Sequence, residues 1–104
     1  MLQYIHQNYH DETLSLKAIA SSVLYRNVDH LGKLFKKEVG IHFSAYVSDL
    51  RVKKASELLL STDRSVGEIA EQCGFGLNTR YFSQVFKKST GFSPREYRKQ
   101  KRDL

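Results

Sequence analysis

Long apolar runs are missing from this chain. None reaches the roughly 18 residues that a membrane span requires, and no signal-peptide pattern opens the sequence. A single Cys rules out an internal disulfide and suits a reducing compartment, so the cytoplasm is the expected location and no membrane partner is expected. One Pro, six Gly and no low-complexity stretch in 104 residues exclude collagen-like, linker-like and disordered chains. Strict apolar–polar alternation over a strand length is hard to find, which argues against a sheet. Acidic side chains are in the minority: 11 Asp and Glu face 17 Lys and Arg, a formal net charge of +6. That balance favours a polyanionic partner such as nucleic acid.

What is present is helical spacing almost throughout, and an all-α fold of about seven helices is expected. Leu2, Ile5 and Tyr9 form one face of a first short helix that stops before "HDETLS". Leu16, Ile19, Ala20 and Val23 recur at i, i+3, i+4, i+7 behind an N-cap at Ser15. Asn27 caps a helix over about 28–39 whose inward residues are Leu31, Leu34 and Phe35, and Gly40 ends it. A longer helix follows from about Phe43 to Leu60, with Tyr46, Val47, Leu50, Ala55, Leu58 and Leu59 apolar, until "STDRS" breaks it.

The pattern then restarts. Ser65 to Glu68 and Ser93 to Glu96 both have the Ser-x-x-Glu form of a capping box, in which each side chain bonds the other residue's free backbone N–H. Between them, Val66, Ile69, Ala70 and Cys73 form one apolar quartet stopped at Gly74, and Asn78 caps a helix over about 79–90 with Phe82, Val85 and Phe86 inward. Pro94 stands at the first position of a last helix, where a missing N–H is harmless. The highly charged "REYRKQKR" of that helix is expected to fray.

"FKKEVG" at 35–40 and "FKKSTG" at 86–91 mark an internal repeat. Ile19 and Ala20 fall on Ile69 and Ala70 at an offset of 50, whereas Leu31, Leu34, Phe35, Gly40 and Tyr46 fall on Phe82, Val85, Phe86, Gly91 and Tyr97 at 51. The extra residue lies in the turn. Each copy is a short capped helix, a tight turn and a basic second helix, the helix-turn-helix arrangement that can place its second helix in a DNA major groove. The expected organisation is a first helix-turn-helix unit at 1–41, a linker helix at 42–60 and a second unit at 61–104. Helical hairpins also serve as scaffolding, so a protein-interaction module or a nonspecific nucleic-acid binder is the alternative.

With Leu31, Leu34 and Phe35 inward, positions 29, 30, 32, 33 and 36 turn away from the core. Lys33 can donate to guanine, Asp29 can accept from cytosine, and His30 shares their face. Gly32 has no side chain to read with, and inside a helix it costs about 1 kcal/mol relative to Ala; either backbone approaches DNA there or the site reads nothing, so the first unit should discriminate less. In the second unit Thr79, Arg80, Ser83, Gln84 and Lys87 point outward. Arg80 suits guanine and Gln84 suits adenine, while Tyr81 can face bases or sit half-buried beside Phe82. Asn27, Lys36, Lys37, Asn78, Ser83, Lys87 and Lys88 are the expected phosphate contacts, which position without specifying sequence.

His6 and His10 have the i, i+4 spacing of a two-ligand metal site, but no third ligand accompanies them. Cys73 replaces Val23 of the first copy and reads as a buried hydrophobe. No Gly-rich elbow or phosphate loop suggests nucleophilic or nucleotide chemistry, so neither enzyme activity nor a cofactor is expected.

"SVGEIAEQCGFGLNTRYFSQVFKKSTGFSPREYRK" at 65–99 resembles the second helix-turn-helix of the AraC/XylS-type bacterial transcription regulators, and "LRVKKASELL" at 50–59 is similar to their linker helix, with Arg51 and Ala55 in place. The resemblance covers nearly the whole chain. It implies the C-terminal DNA-binding domain of such a regulator, double-stranded DNA and RNA polymerase as partners, and a sensor, receiver or dimerisation domain outside these residues. Two positions depart from the repeat: Leu24 stands where the second copy has Gly74, and His42 stands in place of the capping Ser93.

Overall fold

Hydroxyl and amide side chains start the helices where the sequence predicts them. In the computed structural model, which describes residues 2–21 and 27–102, Ser15 Oγ accepts from the Ala18 N–H at 3.0 Å to open α2 (Leu16–Ile19), after α1 (Leu2–Asn8). Asn27 Oδ1 accepts from the N–H groups of Asp29 and His30 at the start of α3 (Val28–Val39). The long α4 (Phe43–Ser61) begins at His42 with no side-chain cap, the weak start expected there. Ser65 opens α5 (Val66–Gln72), Asn78 opens α6 (Thr79–Thr90), and Ser93 opens α7 (Pro94–Arg102). All seven elements are helices, and no strand occurs among the described residues.

The repeat in sequence is a repeat in geometry. Both second helices have 12 residues and end in a left-handed glycine, Gly40 at φ 95° and Gly91 at φ 87°, whose N–H returns to the carbonyl of Lys36 or Lys87 at 2.8 Å. Phe35 meets Tyr46 edge-on at 5.6 Å, and Phe86 meets Tyr97 edge-on at 5.3 Å. Edge-to-face pairs of this kind hold a helix on its neighbour more specifically than area burial does.

Two apolar cores result, and α4 contributes to both. Ile5, Ile19, Leu31 and Phe35 pack with Phe43, Val47 and Leu50 of its first half. Ile69, Ala70, Cys73, Phe82 and Phe86 pack with Val52, Ala55 and Leu59 of its second half. At 3.6 residues per turn the two buried stripes lie about 150° apart around the helix. The units therefore sit on nearly opposite sides of α4 and are staggered along it, in a molecule of 47 × 24 × 22 Å.

Several expectations need correction. Leu2 is exposed, so Ile5 alone is buried in α1 while Tyr9 is half-buried. Only the second capping box is reciprocal: Glu96 accepts from the Ser93 N–H at 3.1 Å, but Glu68 accepts from the Ser65 hydroxyl instead of its N–H. The last helix, which the sequence leaves with nothing to hold it, runs through Arg102 and has partners on α4. Arg98 donates from Nε to the Leu59 carbonyl at 2.9 Å and from Nη2 to the Thr62 carbonyl at 3.1 Å, which anchors α7 on the end of α4. Phe75, which the spacing leaves unassigned, is buried against Phe82 at 4.8 Å. Val23 and Leu24 lie outside the described residues.

Candidate nucleic-acid interface

On α3, Asp29, His30, Lys33, Lys36 and Lys37 are all exposed, as is the capping Asn27. On α6, Arg80, Tyr81, Gln84, Lys87 and Lys88 are exposed with the capping Asn78, while Ser83 and Thr79 are half-buried. The Thr79 hydroxyl points back toward α5, close enough that a Cβ on Gly67 would lie 3.6 Å from it. Tyr81 is 53% exposed with its ring 6.2 Å from Phe75, so it belongs to the surface and leans on the core. The side-chain oxygens of Asn27 and Asn78 are occupied by helix N–H groups, which leaves their amide NH₂ groups to donate outward.

Gly32 does not face open space. A Cβ there would meet Leu16 Cδ1 at 3.3 Å, so the glycine lets α2 approach α3 closely. That is a packing role, and it revises the expectation that position 32 turns away from the protein.

The cations of this face are unpaired. The ion pairs among the described residues are Lys54–Glu57 and Arg102–Asp63, both elsewhere, so Lys33, Lys36, Lys37, Arg80, Lys87 and Lys88 have no carboxylate within salt-bridge reach. Uncompensated surface charge of one sign is what a polyanion displaces counterions to meet. Between the units an open cleft of about 840 Å³ joins the faces; Lys33, Lys36 and Arg51 supply its positive charge beside one carboxylate, Asp29, and Val28, Phe75 and Tyr81 part of its apolar wall.

Sequence reasoning missed Leu77, which is 85% exposed at the tip of the α5–α6 turn, and the placement of Arg51 in the cleft. The repeat held the signal for the first: the extra residue of the second copy falls in that turn. Among residues set aside, His6 Nε2 is 2.7 Å from the Tyr46 hydroxyl, and Cys73 is fully buried, its thiol pushed up to about 11 by burial.

Twin helix-turn-helix units on one shared helix, each offering unpaired cations from its second helix, define a sequence-specific DNA-binding domain. The helix-turn-helix domain family model matches residues 21–100, and the chain belongs to the AraC/XylS family of transcription regulators as their C-terminal DNA-binding domain. It is 47% identical over 100 residues to the uncharacterized transcriptional regulatory protein YesN of Bacillus subtilis (strain 168), a match spanning 95% of this chain and 27% of YesN. The C-terminal domain of AraT, a response regulator from Geobacillus stearothermophilus, superposes with a TM-score of 0.90 at 39% identity over 94% of this chain and 79% of that one. The C-terminal domain of the two-component response regulator yesN from Fusobacterium nucleatum gives 0.89 at 36% identity over 93% and 92%. No described helix is long and apolar enough to cross a membrane.

Proposed function

We propose that the domain grips one face of a DNA duplex with both units, α3 and α6 entering successive major grooves, as the output module of a cytoplasmic response regulator. The observation that carries this reading is the duplicated array of unpaired cations on two second helices with matched caps. The 47 Å length of the molecule is enough to reach grooves one helical turn, about 34–36 Å, apart. Asp29, His30 and Lys33 would read bases in one groove and Thr79, Arg80, Tyr81 and Gln84 in the other. Asn27, Lys36, Lys37, Asn78, Ser83, Lys87 and Lys88 would hold phosphates. The domain division at 1–41, 42–60 and 61–104 follows this use, with the second unit the better reader because Gly32 replaces a side chain with a packing contact.

A receiver domain outside these residues is supported by AraT and the Fusobacterium yesN, both response regulators. RNA polymerase is the proposed protein partner, and recognition is the whole of the chemistry. Selection of duplexes from a random pool at about 150 mM salt tests the reading, because nonspecific affinity is already reduced there. Enrichment of a bipartite motif with half-elements about 10 base pairs apart is the expected result. No enrichment would leave a nonspecific or protein-binding scaffold.

A further inference from the structure

Arg51 lies on α4 between the stripes that serve the two cores, and its half-buried guanidinium leaves the helix toward the α1–α2 loop. Nε donates to the Tyr9 carbonyl and Nη2 to the Asp11 carbonyl, each at 2.9 Å. The loop it holds is locally stiff. The N–H and hydroxyl of Thr13 donate to Asp11 Oδ1 at 2.9 and 2.7 Å, and the Leu14 N–H donates to the Asp11 carbonyl at 3.1 Å.

The other side of this loop rests on the second unit. A Cβ on Gly74 would sit 2.2 Å from the Tyr9 carbonyl oxygen and 2.7 Å from Arg51 Nε, and one on Gly76 would sit 2.1 Å from a Glu12 carboxylate oxygen. Both glycines are at positive φ, 93° and 69°. Backbone of the α5–α6 turn is thus seated against backbone of the α1–α2 loop, an approach only glycine permits. Tyr9 itself packs on the first core, and its phenol is pushed up by burial and then by the charges of Cys73 and Glu57.

We infer that Arg51 is a positioning residue: by clasping the first unit's loop to α4, at the place where the second unit's turn packs against that loop and the guanidinium, it sets the relative placement of the two recognition helices and so the separation of half-elements that the domain accepts. The inference rests on the proposed two-unit grip. A continuous α4 fixes the phase of the two units through its two buried stripes, but it leaves the bend of its middle, and with it the tilt of one unit against the other, to side contacts. The clasp supplies that restraint through charge-assisted bonds to neutral carbonyls, which are stronger than neutral pairs. One inserted base pair displaces a half-element by about 3.4 Å and rotates it by about 35°. A clasped domain cannot follow that shift, whereas an unclasped one can.

Two measurements on wild type, Arg51→Met, Arg51→Lys and Gly74→Ala test this. Without DNA, pulsed electron paramagnetic resonance between spin labels at Glu38→Cys and Ser89→Cys, in a Cys73→Ala background, reads the spread of inter-unit distances. With DNA, affinities are compared for the selected duplex and for duplexes with one base pair inserted or deleted between half-elements. Wild type should give a narrow distance distribution and prefer the selected spacing by about tenfold or more. Arg51→Met should broaden the distribution and cut the preference to about threefold or less. Arg51→Lys keeps the charge without the two-carbonyl fork and should fall between. Gly74→Ala leaves the charge untouched and should likewise loosen spacing, which keeps the test open if Arg51→Met fails to fold. Folded Arg51→Met and Gly74→Ala proteins with wild-type widths, or with wild-type spacing preference, would overturn the inference. A wild type indifferent to spacing would overturn the two-unit grip itself and with it the spacing role, while the distance widths would still show whether Arg51 holds the units together.

Discussion

Removing the guanidinium of Arg98 takes two hydrogen bonds from the end of α4. The last carbonyls of a helix have no partners within it, and they carry the negative end of its dipole. The last turn of α4 contains no Lys, Arg or His of its own. Arg98 supplies that cation from α7, bonding the Leu59 and Thr62 carbonyls at 2.9 and 3.1 Å. A hydrogen bond to a charged group contributes about 1.5–3 kcal/mol. Because Arg98 is only half-buried and Arg102 also reaches the Thr62 carbonyl, the expected loss for Arg98→Ala is about 2 kcal/mol and not twice the single-bond value. For a domain of this size that corresponds to a fall in Tm of roughly 10 °C. Arg98→Lys should recover less than half of it, since one ammonium cannot fork across two carbonyls. Thermal melts followed by far-ultraviolet circular dichroism give the answer directly. A fall of under about 2 °C for Arg98→Ala would mean that water replaces the guanidinium without loss, and the account of how α7 is anchored would be wrong.

Gln84→Ala should cost about 1–3 kcal/mol at one base pair of the selected duplex, whereas Lys87→Ala should weaken all duplexes alike and flatten the log–log salt dependence by about 0.9. Titrations over a salt series separate the two. Gly32→Ala should stabilise the fold by about 0.5 kcal/mol in urea denaturation, because a helix-propensity gain of about 1 kcal/mol outweighs the small rotation needed to move Leu16 Cδ1 back from its 3.3 Å approach. The Cys73 thiol, raised from 9.0 to about 11, keeps its proton in the folded state after the unfolded chain has lost its own. Stability from this group is therefore complete below about pH 9 and lost as pH rises toward 11, so chemical denaturation across that range should show a steeper decline for wild type than for Cys73→Ala.

Caps, glycine stops and the duplicated apolar spacing were legible in the sequence because each is written in side chains a few residues apart. Asn27 and Gly40, or Asn78 and Gly91, mark the same helix twice, and the structure forms both. Bonds from an arginine to a distant carbonyl leave no such mark. Arg51 reaches carbonyls 40 and 42 residues away and Arg98 reaches others 36 and 39 away, yet every residue type carries that acceptor. For this reason "REYRKQKR" reads as a helix with nothing to hold it, and Arg51 stands out only as a position of the linker-helix resemblance, with no partner assigned. Val52 was missed for a different cause. It lies on the opposite face from Val47 and Leu50, so a search for one apolar stripe along α4 passes over the point where the helix changes the core it serves. Gly32 looked like a gap in a reading face because its contact, Leu16, belongs to another helix. The base and phosphate contacts rest on exposure and charge, and the duplex selection is what tests them.

Because α4 forms a wall of each core, neither unit owns all of its own interior. A cut at residue 41 would strip the first unit of Phe43, Val47 and Leu50, and a cut at 61 would strip the second of Val52, Ala55 and Leu59. Modular reuse is constrained accordingly. A chimera that exchanges one reader for another must carry the matching half of α4 and join it in the same rotational phase, since a one-residue slip turns the downstream stripe by about 100° away from the core it should close.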